Sequence, residues 1–185
     1  MKKLALLALA SVGICAASPA VLVGVDVSGI ESWDSLGDAN NIAGFIDFSG
    51  LGLGKVTAIG WEVNLRTLID PSWLSEIAVY MDNSSFTTGI FLTPGVGDDF
   101  SGSASYSSGG MIDLTDVGLY DIDLSADGIM NVEFFEQFDD YSDEAEGIWD
   151  RGSTLYFEYE VVPEPASMLA LGAGLAALAA RRRRK

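Results

Sequence analysis

The chain contains no histidine and only one cysteine among its 185 residues. Without an imidazole it lacks the usual general base at neutral pH, and with it the Ser-His and Cys-His nucleophile pairs. The one cysteine, Cys15, lies in an apolar stretch near the N-terminus. From Val21 onward, thiolate chemistry, disulfides and zinc held by its usual ligands are therefore excluded. Positive charge is scarce too. Seven of the ten Lys and Arg sit at the two ends, leaving Lys55, Arg66 and Arg151 against 26 carboxylates between Val21 and Val162, a net charge of −23. Such a surface repels nucleic acid and anionic lipid, so neither is expected as a partner of this region.

The N-terminal segment has the composition of a secretory signal peptide over residues 1–20. Lys2 and Lys3 precede an apolar helix-forming stretch from Leu4 to Ala17, and Ser18, Pro19 and Ala20 offer cleavage after Ala20. Val12, Gly13 and Ile14 precede Cys15 much as a lipobox would, but Ile14 stands where lipidation wants a small residue.

At the other end, Val162 leads into Pro163, Glu164 and Pro165, then an apolar run over 166–180, then Arg181, Arg182, Arg183, Arg184 and Lys185. The prolines keep the backbone extended and unpaired, as a processing enzyme's groove requires. The five cations hold the end of an apolar helix on the cytoplasmic side. The run of fifteen residues spans about 22 Å at the helical rise, short of the ~20 residues of a comfortable membrane span, which suits a temporary anchor. This order of proline-bracketed glutamate, apolar helix and arginine cluster over 162–185 resembles the PEP-CTERM sorting signal of exported bacterial proteins. The resemblance implies an exosortase as processing partner, a membrane-anchored precursor, and delivery to the cell surface or the extracellular matrix.

Between the two processing segments, residues 21–161 are enough for one domain with a core and too few for two. Period-two alternation recurs there and long helical periodicity is missing, so the fold class is all-β. Ile59, Trp61, Val63 and Leu65 share one face of a strand over Val56 to Leu65; Ile77, Val79 and Met81 line the next. Gly89 to Thr93 is a short strand, and the loop Asp98 to Gly110 holds another at Ala104 to Ser107. Tyr120, Ile122 and Leu124 alternate with Asp121 and Asp123. Asp127 and Gly128 then read as a hairpin turn into Met130, Val132 and Phe134, with Asn131 and Glu133 opposed. After an acidic loop and a turn at Asp150 to Gly152, Leu155, Phe157, Tyr159 and Val161 point inward. Seven or so such strands without intervening helices predict a single antiparallel β-sandwich, flanked by the signal helix and the C-terminal apolar helix. The portion carrying Asp127, Gly128, Asp139, Asp140, Gly152, Leu155 and Phe157 resembles the end of the P-domain of proprotein convertases, which implies a jelly-roll sandwich closed by a hairpin. No protease domain is expected ahead of it, so the resemblance lends no support to a proteolytic role.

The residues left for chemistry are carboxylates, hydroxyls and aromatics. So many acids make some pair in a cleft inevitable, which removes their diagnostic value for acid–base catalysis. A lysine base would have to be Lys55, which lies beside an apparent loop with no partner visible in sequence. Hard oxygen ligands suit calcium. The cluster Asp139, Asp140, Asp143, Glu144 and Glu146 reads either as a calcium loop or as a solvated acidic loop. Asp121, Asp123 and Asp127 fail as a calcium loop because they alternate with strand residues and lack the required glycine. Trp33, Trp73 and Trp149 fall in or near loops, where they would act as platforms for a sugar ring or as plugs of the sandwich. The expectation is an exported, non-enzymatic protein of the surface or matrix, requiring no cofactor, sorted by an exosortase and associated with exopolysaccharide in a biofilm. The competing classes are a carbohydrate-binding module with a defined groove and a cryptic hydrolase.

Overall fold

Twelve strands are present among the residues that the computed structural model describes, which are 20–141, 144–162, 172–175 and 182. In chain order they are β1 (Val21–Asp26), β2 (Ile30–Ser32), β3 (Ile42–Asp47), β4 (Gly54–Thr67), β5 (Ile77–Asn83), β6 (Gly89–Leu92), β7 (Ser103–Ser107), β8 (Ile112–Asp113), β9 (Ile122–Asp123), β10 (Ile129–Glu136), β11 (Gly147–Trp149) and β12 (Thr154–Val161). They form two antiparallel sheets, an all-β sandwich as the alternation predicts.

The first sheet is organised by β4, whose fourteen residues alternate between the core and the outer face. Along one side of it run β12 and then β11, with Leu155 opposite Trp61 and Trp149 opposite Leu65. The residues between these strands, Asp150 to Ser153, bow outward from one continuous lane and do not reverse the chain. Outside that lane lie β1 on β12 and β2 on β11. On the other side of β4, β7, β8 and β9 follow one another along its length. Close contact at the base of the sheet requires a glycine: a Cβ on Gly54 would collide with the Glu160 carbonyl oxygen and approach the Tyr159 ring to 2.9 Å.

The second sheet runs β3, β10, β5, β6. Its inner face contributes Ile77, Val79, Met81, Ile90, Leu92, Met130 and Phe134 to the core. Phe48 stacks on Tyr159 at 4.9 Å and meets Phe157 edge-on at 6.1 Å, joining the sheets at one end. Trp149 and Phe134 join them elsewhere, with ring centroids 5.3 Å apart.

The expected hairpin at Asp127 and Gly128 is instead a crossover. β9 belongs to the first sheet, whereas β10 inserts between β3 and β5 of the second. Gly128 takes φ 77°, its carbonyl accepts the Phe48 N–H at 2.8 Å, and a Cβ there would lie 2.7 Å from Ser49 Cα. Two further expectations change. Tyr120 is exposed, because the ladder with β4 takes in only Ile122 and Asp123. Lys55 lies in β4, not beside a loop, and its ammonium contacts Asp121 at 2.8 Å and Glu160 at 3.5 Å.

Of the expected apolar helix over 166–180, residues 172–175 are described and helical; the rest lies outside the described residues. Among the described residues no helix is long and apolar enough to cross a membrane. The expected signal helix lies outside them as well, save Ala20, which immediately precedes β1.

Candidate functional site

The acidic loop between β10 and β11 folds around a carboxyl group that the sequence would leave in solvent. Glu146 is buried: its Oε2 accepts the Ser72 hydroxyl at 2.7 Å, and its Oε1 accepts the Asp140 and Tyr141 backbone N–H groups at 3.0 and 2.8 Å. Three donors satisfy it without a cation. Asp139 and Glu144 are exposed, Asp140 is half-buried, and Asp143 lies outside the described residues. Among the described residues no group of three or more acids is arranged to hold a metal ion. The loop is thus closed on itself by Glu146, and the described members of the expected calcium set do not converge.

Beneath this loop lies Glu136, the last residue of β10, fully buried and with no well-aligned hydrogen bond to either oxygen among the described residues, the Ser32 hydroxyl being its polar neighbour. Burial, reinforced by the neighbouring Glu146 and Glu76, pushes its carboxyl up to about 9. It is therefore a neutral acid at physiological pH. Burial also raises Glu76, with Asp140 and Glu146 adding to the effect.

The three tryptophans separate. Trp149 is 0% exposed and belongs to the core, because β11 turns it inward against Phe134. It offers no surface to a sugar. Trp33 is half-buried, and its Nε1 finds no partner among the described residues. Only Trp73 presents a face, at 41% exposure, in a small cleft with Pro71, Glu76, Phe138 and Asp140.

Lys55 does not serve as a free base. Its hydrogen bond to Asp121 holds the ammonium pKa above the ordinary lysine value, with the charges of Asp121 and Glu160 acting in the same direction. Arg66 is likewise engaged, donating through Nε and Nη2 to the two oxygens of Asp150 at 2.7 and 3.0 Å.

A feature that alternation does not foresee is the outer face of the second sheet. The register places Phe45, Asn131 and Asp82 in one row across β3, β10 and β5, and Ala43, Glu133, Tyr80 and Phe91 in the next. Tyr80 and Phe91 have ring centroids 4.9 Å apart, and Phe91 meets Phe135 edge-on at 5.5 Å. A cleft of about 390 Å³ opens over this face, lined by Leu36, Tyr80, Asp82, Phe86, Asn131 and Glu133 among others. Alternation already set Asn131 and Glu133 outward. It does not reveal that they share rows with Asp82 and Tyr80, because strand order is not a local property.

Of the sorting residues, Arg182 is helical and exposed, while Pro163, Glu164, Pro165, Arg181, Arg183, Arg184 and Lys185 lie outside the described residues. None of the curated proteins and none of the solved structures matches the chain, and the resemblance to the proprotein convertase P-domain is not shown. The family description that does match is the PEP-CTERM protein-sorting motif, over residues 161–184, beginning at the last residue of β12. The chain therefore carries a PEP-CTERM sorting motif directly behind its sandwich, and it is an exported protein sorted by an exosortase.

Proposed function

We propose that the sandwich is non-enzymatic cargo, delivered through a briefly membrane-anchored precursor to the cell surface or matrix, where it associates with exopolysaccharide. One observation carries this reading: β12 ends at Val161, where the sorting motif begins, so the signal is joined to the sandwich without a further domain between them. The charge of the region agrees, since 26 carboxylates keep an exported domain soluble through self-repulsion. Calcium enters only as a diffuse bridge between acidic surfaces. The aromatic outer face of the second sheet favours a sugar partner over a purely structural role, because flat apolar rings suit the C–H face of a pyranose.

The test is fractionation of strains with and without the exosortase, followed by intact mass of the protein found outside the cell. Retention at the inner membrane with the arginine cluster intact in the deletion strain, and cosedimentation of the trimmed product with exopolysaccharide in the parent, is the expected result. Equal release from both strains, or a released product that ignores the polysaccharide, overturns the reading.

A further inference from the structure

Phe86 is 76% exposed and takes φ 55°, a left-handed conformation that a bulky side chain enters only at a cost. The loop joining β5 to β6 is built to hold it there. Asn83 Oδ1 accepts the Thr87 N–H at 2.8 Å, its Nδ2 donates to Thr87 Oγ1 at 2.8 Å and to the Asp123 carbonyl at 3.0 Å, and its carbonyl accepts the Phe86 N–H at 2.9 Å. Water alone gives no reason to fix a phenyl ring in this way. Its place in the fold does, since Phe86 forms part of the wall of the cleft over the second sheet.

The floor of that cleft holds an incomplete polar set. Asp82 is only 2% exposed, its Oδ1 accepts Asn131 Nδ2 at 3.0 Å, and its Oδ2 makes no well-aligned hydrogen bond among the described residues. The adjoining Tyr80 hydroxyl feels its charge, and its pKa is raised by burial first and then by Asp82. A buried acceptor without a well-aligned donor is expensive, so an occupant that shifts the Tyr80 side chain and brings an O–H or N–H to Oδ2 recovers energy that an apolar occupant would not. Opposite, Glu133 Oε1 is engaged by the Gly37 N–H at 2.6 Å and Asn41 Nδ2 at 2.8 Å, which pins the loop that brings Leu36 to the rim. No Lys or Arg is among the described lining residues, and the region carries a net charge of −23, so an anionic occupant is rejected.

We propose that this cleft binds a pyranose unit of a polysaccharide bearing no negative charge, with Tyr80 and Phe86 against the ring and Asp82 accepting from a hydroxyl or amine. The inference rests on the exopolysaccharide reading and gives it a location distinct from Trp33, Trp73 and Trp149. At about 390 Å³ the cleft is within the usual range of small-molecule sites.

The protein recovered outside the cell is applied to exopolysaccharide from the same cells, divided by anion exchange into acidic and non-acidic pools. Binding to the non-acidic pool is expected, with Tyr80→Ala and Phe86→Gly each weakening it by about tenfold or more. Phe86→Gly separates function from folding, because glycine relieves the left-handed strain and its denaturation midpoint should equal or exceed that of the parent. Wild-type binding that both variants retain overturns this site and leaves the broader reading standing. Failure of the wild type to bind either pool overturns the broader reading itself. Preference for the acidic pool overturns the charge argument, and a Phe86→Gly change that alters self-association instead of retention assigns the cleft to a second copy.

Discussion

The indole of Trp149 meets the phenyl ring of Phe134 edge-on, at 83° and 5.3 Å between centroids. One residue comes from each sheet, so the pair ties β11 to β10 across the core. Trp149→Ala should cost about 3–5 kcal/mol through lost burial and the cavity left behind. Chemical denaturation checks this. The folded fraction should bind exopolysaccharide as the parent does, and a selective loss of binding without loss of stability would return Trp149 to the role of a sugar platform.

Glu136 makes stability depend on pH. Its carboxyl is raised from an ordinary 4.5 to about 9 in the folded state, by burial first and then by Glu146, Glu76 and Asp140, against a smaller opposing effect of Ser32. Between those values the native state keeps a proton that the unfolded chain has released, so this contribution is complete below about 4.5 and declines as pH rises toward 9. The slope approaches 1.4 kcal/mol per pH unit. Glu136→Gln keeps the shape and removes the titration, so its urea midpoint should vary less between pH 5 and 9 than the parent's. Parallel curves for the two proteins would refute the assignment.

Ser72 and Glu146 close the acidic loop with a 2.7 Å hydrogen bond. Ser72→Ala leaves a buried carboxyl oxygen short of its donor and should cost about 1–3 kcal/mol in thermal or chemical unfolding. Because three donors already satisfy Glu146, millimolar calcium should move the midpoint of the parent no further than magnesium does at the same concentration, both acting only by screening the acidic surface. A rise of several degrees with calcium that magnesium does not reproduce would show that the loop takes an ion.

Tyr159 donates its hydroxyl to the Gly52 carbonyl at 2.7 Å while its ring stacks on Phe48. Tyr159→Phe keeps the stack and strands the carbonyl, so a loss of about 1 kcal/mol is expected, against about 3–5 kcal/mol for Tyr159→Ala. Equal losses in the two variants would show that the hydroxyl, not the ring, ties this end of the sandwich.

Alternation located the strands of the middle and end of the chain because both faces were distinct there. Val63 and Leu65 are buried beside the exposed Glu62, and Leu155, Phe157 and Tyr159 are buried in turn with Tyr156, Glu158 and Glu160 between them. It found none of β1, β2 and β3, nor the two- and three-residue strands β8 and β11, which are too short to show a period. β1 and β3 are edge strands with largely exposed residues, and Val-Leu-Val-Gly-Val shows no contrast between its faces. Nor did turn chemistry reveal the crossover at Asp127 and Gly128, since a turn residue specifies a local backbone angle and not the sheet that the next strand joins.

The sorting signal, the scarcity of cations and the β periodicity are properties of consecutive residues, and the sequence alone decided them, because recognition of an extended tag, net charge and side-chain alternation need no long-range contact. What became of individual side chains was decided by tertiary structure. Trp149 and Glu146 were drawn inside, and Tyr80, Asp82 and Asn131 were set in adjoining positions, because pairing of β10 with β5 brings together residues 49 positions apart in the case of Asp82 and Asn131. That pairing depends on which strands close over a common core, a choice made by the whole chain at once.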